Sequence, residues 1–213
     1  MAPAAKHFEF VEFEGKYRTI LLFGMPGSGK GTQGTVLGQL PDLVHISMGD
    51  VFRKIPKLGK LGAEIESYTS VGKMVPDDLT VRIFERHVKI LELQEFFLPG
   101  QQTLILDGLP RNRAQAEQLD ASLDVVQIFH LNIDDVKLAM KRLRARALRE
   151  NRLDDMSDEV IRRRLNTYHE ETYKTLSFYP PELIYKIEAG QEMIHVLRDI
   201  VVRLSELRKA GIA

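Results

Sequence analysis

Cysteine is absent from this chain of 213 residues. Its absence rules out disulfides, thiolate metal sites and a cysteine nucleophile, so no structural zinc is expected. A chain without cysteine also suits the cytoplasm, which is the expected compartment. Neither sign of charge is in excess, with 30 basic side chains against 30 acidic ones. Nothing global therefore favours nucleic acid or an anionic membrane as a partner. Long apolar runs are missing. "TILLFGM" (19–25) is far too short to span a bilayer. "MAPAAKHFEFVEFEGKYR" (1–18) has no apolar h-region and carries acids, so it does not read as a signal peptide. No repeat period or low-complexity tract stands out.

What is present is an ordinary soluble composition, 44% hydrophobic and 28% charged. The length suffices to bury on the order of 70% of the unfolded surface in one domain. Short apolar runs alternate with helical patterns. "YRTILLFG", "LVHIS", "QTLILDG", "VVQIFHLNI" and "ELIYKIEAG" read as five buried strands. "GKGTQGTVLGQL" reads as a helix ending near Pro41, and further helical patterns cover roughly 77–93, 112–121, 134–149, 157–174 and 192–209. Such alternation predicts an α/β fold with a parallel sheet covered on both faces, with ligands outside the carboxyl ends of the strands. "HFEFVEFEG" alternates imperfectly and is read as a tail or packing extension, with an added edge strand as the other option.

"GMPGSGKGT" (24–32) follows the first strand and opens a helix, with the spacing G-x-x-x-x-G-K and Thr32 one residue later than usual. Gly27, Gly29 and Gly31 let the backbone turn its N–H groups, including that of Ser28, toward a phosphate. The helix N-terminus adds its positive end. Lys30 is a point charge able to follow a transferred phosphoryl group, and Thr32 offers a hydroxyl to Mg²⁺ or a phosphate oxygen. Asp107 directly follows an apolar strand, where a phosphate-loop protein places a carboxylate for Mg²⁺, partly through water. Gly108-Leu109-Pro110-Arg111 then fixes a turn and projects an arginine. One helical turn later, the amide of Gln115 can donate and accept at once, as the N6/N1 edge of adenine requires.

"GMPGSGKGTQ", "ISMGDVFR", "VGKMVPD", "LDGLPRNRAQ" and "ENRLDD" occur in the order seen in adenylate kinases and other nucleoside monophosphate kinases. The resemblance covers about residues 18 to 205. It implies a P-loop NTPase fold with a parallel five-stranded sheet flanked by helices, a small helical insertion for the monophosphate and a short lid. The implied division is an extension (1–18), a core (19–46, 76–145 and 156–213), a monophosphate subdomain (47–75) and a lid (146–155). The lid is short because "ALREN" alone separates Arg146 from Arg152.

The resemblance also implies roles. Arg146, Arg152 and Arg164 clamp phosphates in the closed state, with Arg142 on the ATP side. Arg53 and Arg111 hold the phosphate of the monophosphate. Met48, Lys73, Met74, Val75 and Gly108 line its base and turn, and Asp154-Asp155 orient the lid arginines. Gln191, in "AGQEMIHV", matches the loop that touches the ATP adenine. The implied enzyme is a monomeric phosphotransferase that uses Mg²⁺ with ATP and takes AMP as acceptor. UMP, CMP or GMP as acceptor, or a nucleotide-sensing module with little turnover, are the alternatives. An acceptor phosphate is already anionic near neutral pH, so no histidine is needed as base. Arg144, Arg149, Arg162 and Arg163 read as a solvated basic face.

Three departures from the family pattern bear on these roles. Met48 stands where adenylate kinases usually have threonine, Leu109 replaces a phenylalanine, and one extra residue precedes Arg164 around "MSDE".

Overall fold

The computed structural model describes residues 15–150 and 157–211. Five apolar runs form strands, because each is rich in β-branched and aliphatic side chains that fit a surface buried on both faces. They are β1 (Tyr17–Phe23), β2 (Leu43–Ser47), β3 (Thr103–Asp107), β4 (Leu123–Asn132) and β5 (Ile184–Glu188). They pair in the order β2-β3-β1-β4-β5, every neighbour parallel. Alternate residues of one strand feed different cores. Ile20, Leu22, Ile105 and Phe129 join one cluster, while Leu21, Phe23, Leu104, Leu106 and Ile128 join the other.

The helices are α1 (Lys30–Leu37), α2 (Met48–Lys54), α3 (Lys60–Thr69), α4 (Asp77–Leu93), α5 (Arg113–Leu119), α6 (Val136–Glu150), α7 (Asp158–Thr167), α8 (Tyr173–Thr175) and α9 (Met193–Lys209). α4 begins on Asp77 and Asp78, acids that suit the positive end of a helix. It buries Val81, Phe84 and Val88 at helical spacing, and the Phe84 ring alone contributes about 2–3 kcal/mol. The helical pattern expected over 157–174 is one continuous run that changes winding, with a π turn at Tyr168–Thr172 between α7 and α8. There the buried Tyr168 places its hydroxyl 3.0 Å from His130 Nε2.

The crossover from β3 to β4 passes over β1, so the chain reverses direction of winding at the central strand. That switch point is where such sheets bind ligands. The register sets Asp107 level with Leu22 of β1 and Ser47 of β2, and Phe23 level with His130. The carboxyl ends of four strands thus meet around the loop that follows β1. No helix among the described residues is long and apolar enough to cross a membrane. The segment read as a tail or edge strand lies almost wholly outside the described residues.

Candidate functional site

The loop after β1 has the shape its glycines permit. Gly24, Gly27 and Gly29 take φ of 150°, 89° and 97°. Their surroundings differ. A Cβ on Gly27 would lie 2.6 Å from the Ala139 carbonyl oxygen of α6, whereas a Cβ on Gly29 would meet nothing within 4 Å. Gly27 is therefore a packing requirement, and Gly29 faces open space at the start of α1. Gly29→Ala is expected to cost about 1–2 kcal/mol of backbone strain while removing most nucleotide binding. Gly27→Ala, forced into a backbone carbonyl as well, should lose far more stability. Chemical denaturation together with nucleotide titration of both variants checks the contrast.

Lys30, the first residue of α1, turns back over the loop. Its Nζ donates to the carbonyls of Gly24 at 2.5 Å and Met25 at 3.2 Å. Burial pulls its pKa down to about 8; Asp107 opposes the shift, and Arg111, Arg146 and Arg164 add to it. Asp107 Oδ2 lies 3.5 Å from where a Cβ on Gly31 would stand, so the carboxylate is at the mouth of the loop. Thr32, in the first turn of α1, is exposed. Ser28 is buried, and its Oγ has no hydrogen-bond partner.

Arg111 is held by the turn that carries it. Its Nε donates to the Gly108 carbonyl at 3.0 Å, and a Cβ on Gly108 would lie 3.2 Å from its Nη2. Burial lowers its pKa to about 10, with Arg164 and Arg53 adding and Asp107 opposing. Arg53 forms an ion pair with Asp50 and covers Gly49. Arg164, on α7, packs its Cγ 3.3 Å from where a Cβ on Gly72 would be. Its neighbour Arg163 turns outward to the Val71 carbonyl at 2.8 Å and to Glu159 at 3.1 Å. Of the two, Arg164 is the one whose charge reaches Lys30 and Arg111. Arg111, Arg146 and Arg164 thus stand close enough to Lys30 for their charges to act on it, Arg164 and Arg53 likewise on Arg111, and Asp107 opposes them at both. Cations crowded into a partly buried cleft, with the proton affinity of Lys30 and Arg111 lowered, make a site for a polyanion.

The remaining expected residues fall as follows. Arg142 donates to the carbonyls of Ala189 at 2.7 Å and Gln191 at 3.1 Å, with a longer contact to Gly190 at 3.5 Å. Its guanidinium thereby grips the loop after β5. Gln191 itself donates to Asp199 Oδ2 at 2.7 Å. Lys73 is exposed, Met74 half-buried and Val75 buried.

Met48 is fully enclosed, in the cluster of Val51, Val81, Phe84 and Leu109. In the ligand-free conformation its side chain is packed as core. Leu109 is packed in the same cluster. Arg152, Asp154 and Asp155, with the second half of the lid segment (151–155), lie outside the described residues. Arg144 makes a two-pronged pair with Asp158, linking α6 to α7 on either side of that segment.

The sequence reading missed Asp77, which hydrogen-bonds to Gln115. An acid after "MVP" at a helix start was the available signal, and it also has an ordinary explanation as a helix-end charge.

A cavity of about 300 Å³ opens between Met25, the end of β4 and Tyr168. It shares Met25 with the loop, but neither Lys30, Asp107 nor Arg111 lines it, so it adjoins the phosphate site and is separate from it.

A phosphate loop at the switch point of a five-stranded parallel sheet, with a strand-end aspartate beside it, defines an α/β P-loop nucleotide-binding protein. A family model described as adenylate kinase matches residues 22–183. Adenylate kinases similar to this chain include one from Micrococcus luteus, 38% identical over 90% of this chain and 92% of the relative. One from Cyanothece sp. is 37% identical over 75% and 80%. Another, from Flavobacterium psychrophilum, is 34% identical over 88% and 96%. The chain belongs to the adenylate kinase family.

Proposed function

We propose that the chain reversibly transfers the terminal phosphoryl group of ATP to AMP, giving two ADP, with Mg²⁺. The convergence of Lys30, Arg111, Arg146 and Arg164 around Asp107 at the mouth of the phosphate loop carries this reading. Phosphoryl transfer spreads negative charge over the migrating group, so catalysis is mostly positioning and charge stabilisation. In the proposed roles, Lys30 and the loop backbone of residues 27–32 hold ATP. Arg53 and Arg111 grip the phosphate of AMP, and Gln115 reads its base. Arg146, Arg152 and Arg164 stabilise the group in flight. Arg142 fixes the loop of Gln191 on the adenine side of ATP through its carbonyl contacts.

One strand-end carboxylate and a hydroxyl fit Mg²⁺, which is commonly held by one or two carboxylates plus substrate phosphates. Asp107 and Thr32 would hold it, partly through water, and it would neutralise phosphate charge when bound. No side-chain base is required, because the acceptor phosphate is largely ionised near pH 7. His130 fits that picture: burial, with Lys186 and Lys30 nearby, lowers its pKa to about 4. Contact of α7 with the turn at Val71 and Gly72 suits a cleft that must shut water out. A monomer working in the cytoplasm is the proposed setting.

Turnover with ATP alone and with ATP plus AMP, UMP, CMP or GMP tests the proposal. AMP should give the highest kcat/KM, by about tenfold or more, and ATP alone should give little hydrolysis. AMP as the poorest acceptor would overturn the acceptor assignment, and equal turnover with and without acceptor would overturn the kinase assignment.

A further inference from the structure

We propose that Asp77 fixes the direction in which the acceptor base is read, so that the site discriminates 6-amino from 6-oxo purine monophosphates. The inference rests on Gln115 reading the acceptor base, as proposed above.

Gln115 is 1% exposed, and both ends of its amide are held. Oε1 accepts from the Arg111 backbone N–H at 2.7 Å, and Nε2 donates to Asp77 Oδ1 at 2.7 Å. Asp77 is itself held. Asn112 Nδ2 donates to its two carboxylate oxygens at 2.9 and 3.1 Å, and Asn112 Oδ1 accepts from the Gln115 backbone N–H at 2.9 Å. The start of α4, the cap of α5 and the arginine turn are thus joined in one ring of hydrogen bonds.

The two ends of a glutamine amide are nearly the same in shape, so packing alone does not decide which end is oxygen. Here the partners decide. An ionised carboxylate only accepts, and a backbone N–H only donates. Turning the Gln115 amide over would set its oxygen against the Asp77 carboxylate and its NH₂ against the Arg111 N–H. Both contacts would become repulsive at once. The amide has two N–H donors and two lone pairs. With one of each engaged, one N–H and one lone pair remain, in a fixed order.

A 6-amino purine offers an acceptor at N1 beside a donor at N6. A 6-oxo purine offers a donor at N1 beside an acceptor at O6. The two edges are mirror patterns. An amide free to turn over would serve both, whereas a locked amide serves one, and a mismatched pair in a buried site has no water to relieve it. Arg111 supplies half of the lock through its backbone N–H while its guanidinium stands in the cationic cluster. The order of base recognition is therefore tied to the residue proposed to grip the phosphate.

The test measures kcat and KM for AMP and IMP, KM for ATP, and Tm, in wild type, Asp77→Ala and Asp77→Asn. Wild type should prefer AMP over IMP by about a hundredfold in kcat/KM. Asp77→Ala should narrow that ratio by about tenfold, through a higher KM for AMP and a lower KM for IMP, with KM for ATP within about twofold. Asp77→Asn keeps the shape and can present either oxygen or NH₂ to Gln115, so its ratio should fall between the two. It also carries the test alone should the alanine variant not fold. If Asp77 serves only as a helix-end acid, activity falls alike on both purines and the AMP/IMP ratio stays fixed; that result overturns the inference. Failure of the underlying acceptor reading shows separately, in the wild type, as no preference for AMP over the other monophosphates.

Discussion

Replacing Lys30 by methionine should lower kcat by about a thousandfold and leave the ligand-free protein as stable as before, or more so. The two halves of this expectation share one cause. The Lys30 ammonium sits among Arg111, Arg146 and Arg164, with Asp107 alone opposing them, and burial has already drawn its pKa down to about 8. In the empty protein, that charge is held where it is disfavoured. Only an anion arriving at the loop makes the arrangement favourable. Methionine keeps much of the length of the side chain and discards the charge, so it removes the penalty together with the function.

The same shift sets a pH dependence. The unfolded value is 10.5 and the folded one about 8. Between them the unfolded chain binds the extra proton, so stability from this group rises with pH across that window. Below about 8 both states are charged and the penalty is full. Urea unfolding should therefore show Lys30→Met at least as stable as wild type near about pH 7, with wild type gaining on it toward about pH 10. In the free enzyme, kcat/KM for ATP should fall above about pH 8 as the ammonium is lost, because that ratio reports the free enzyme's ionisations. A variant that loses activity and Tm in step, with an unchanged pH profile, would make Lys30 a structural residue.

How far the sequence foretold these arrangements depends on how local each one is. The phosphate loop is local: four glycines and a lysine within nine residues after an apolar strand imply their own shape, and β1, the loop and α1 follow in that order. α4 is equally legible, since "PDD" opens it and apolar residues recur on one face from Val81 through Phe84 and Val88 to Leu91. Other features depend on chain far away in sequence. Gly27 is required by the Ala139 carbonyl, which belongs to α6. Arg142 is spaced to share a helical face with Arg146, but only the folded chain brings the carbonyls of Ala189 and Gln191 to it.

Met48 shows the same limit from the other side. Its place in the motif points to the acceptor, and only the folded chain shows that it also packs with Phe84 and Leu109. A motif records which residue stands at a position and leaves open which way the side chain turns. The link between Asp77 and Gln115 spans 38 positions, and no periodicity within either helix encodes it.

Arg111→Ala should separate acceptor binding from stability more sharply than any other change at the site. Arg111 is partly buried near Arg164 and Arg53, and burial first, then Arg164, pull its pKa to about 10, so it stays charged at neutral pH with one carboxylate opposing. Removing the guanidinium relieves that crowding, and Tm of the empty protein should hold or rise. The cost appears with AMP, for which kcat/KM should fall by about a hundred- to a thousandfold, while KM for ATP changes little. The backbone N–H of residue 111 still donates to Gln115 in the variant, so the preference for AMP over IMP should survive even as affinity collapses. Arg111→Lys should recover only part of the loss, since an ammonium cannot reproduce the fork or the Nε contact to Gly108.

Ligand-induced stabilisation gives an independent readout. At about a hundred times its Kd, AMP should stabilise wild type by about 2.7 kcal/mol. The same concentration should give about 0.4 kcal/mol in a variant whose Kd has risen a hundredfold. A fall in Tm that matches the loss of activity, with AMP still raising Tm as in wild type, would remove Arg111 from the acceptor site and leave the phosphate grip to Arg53 and Arg164.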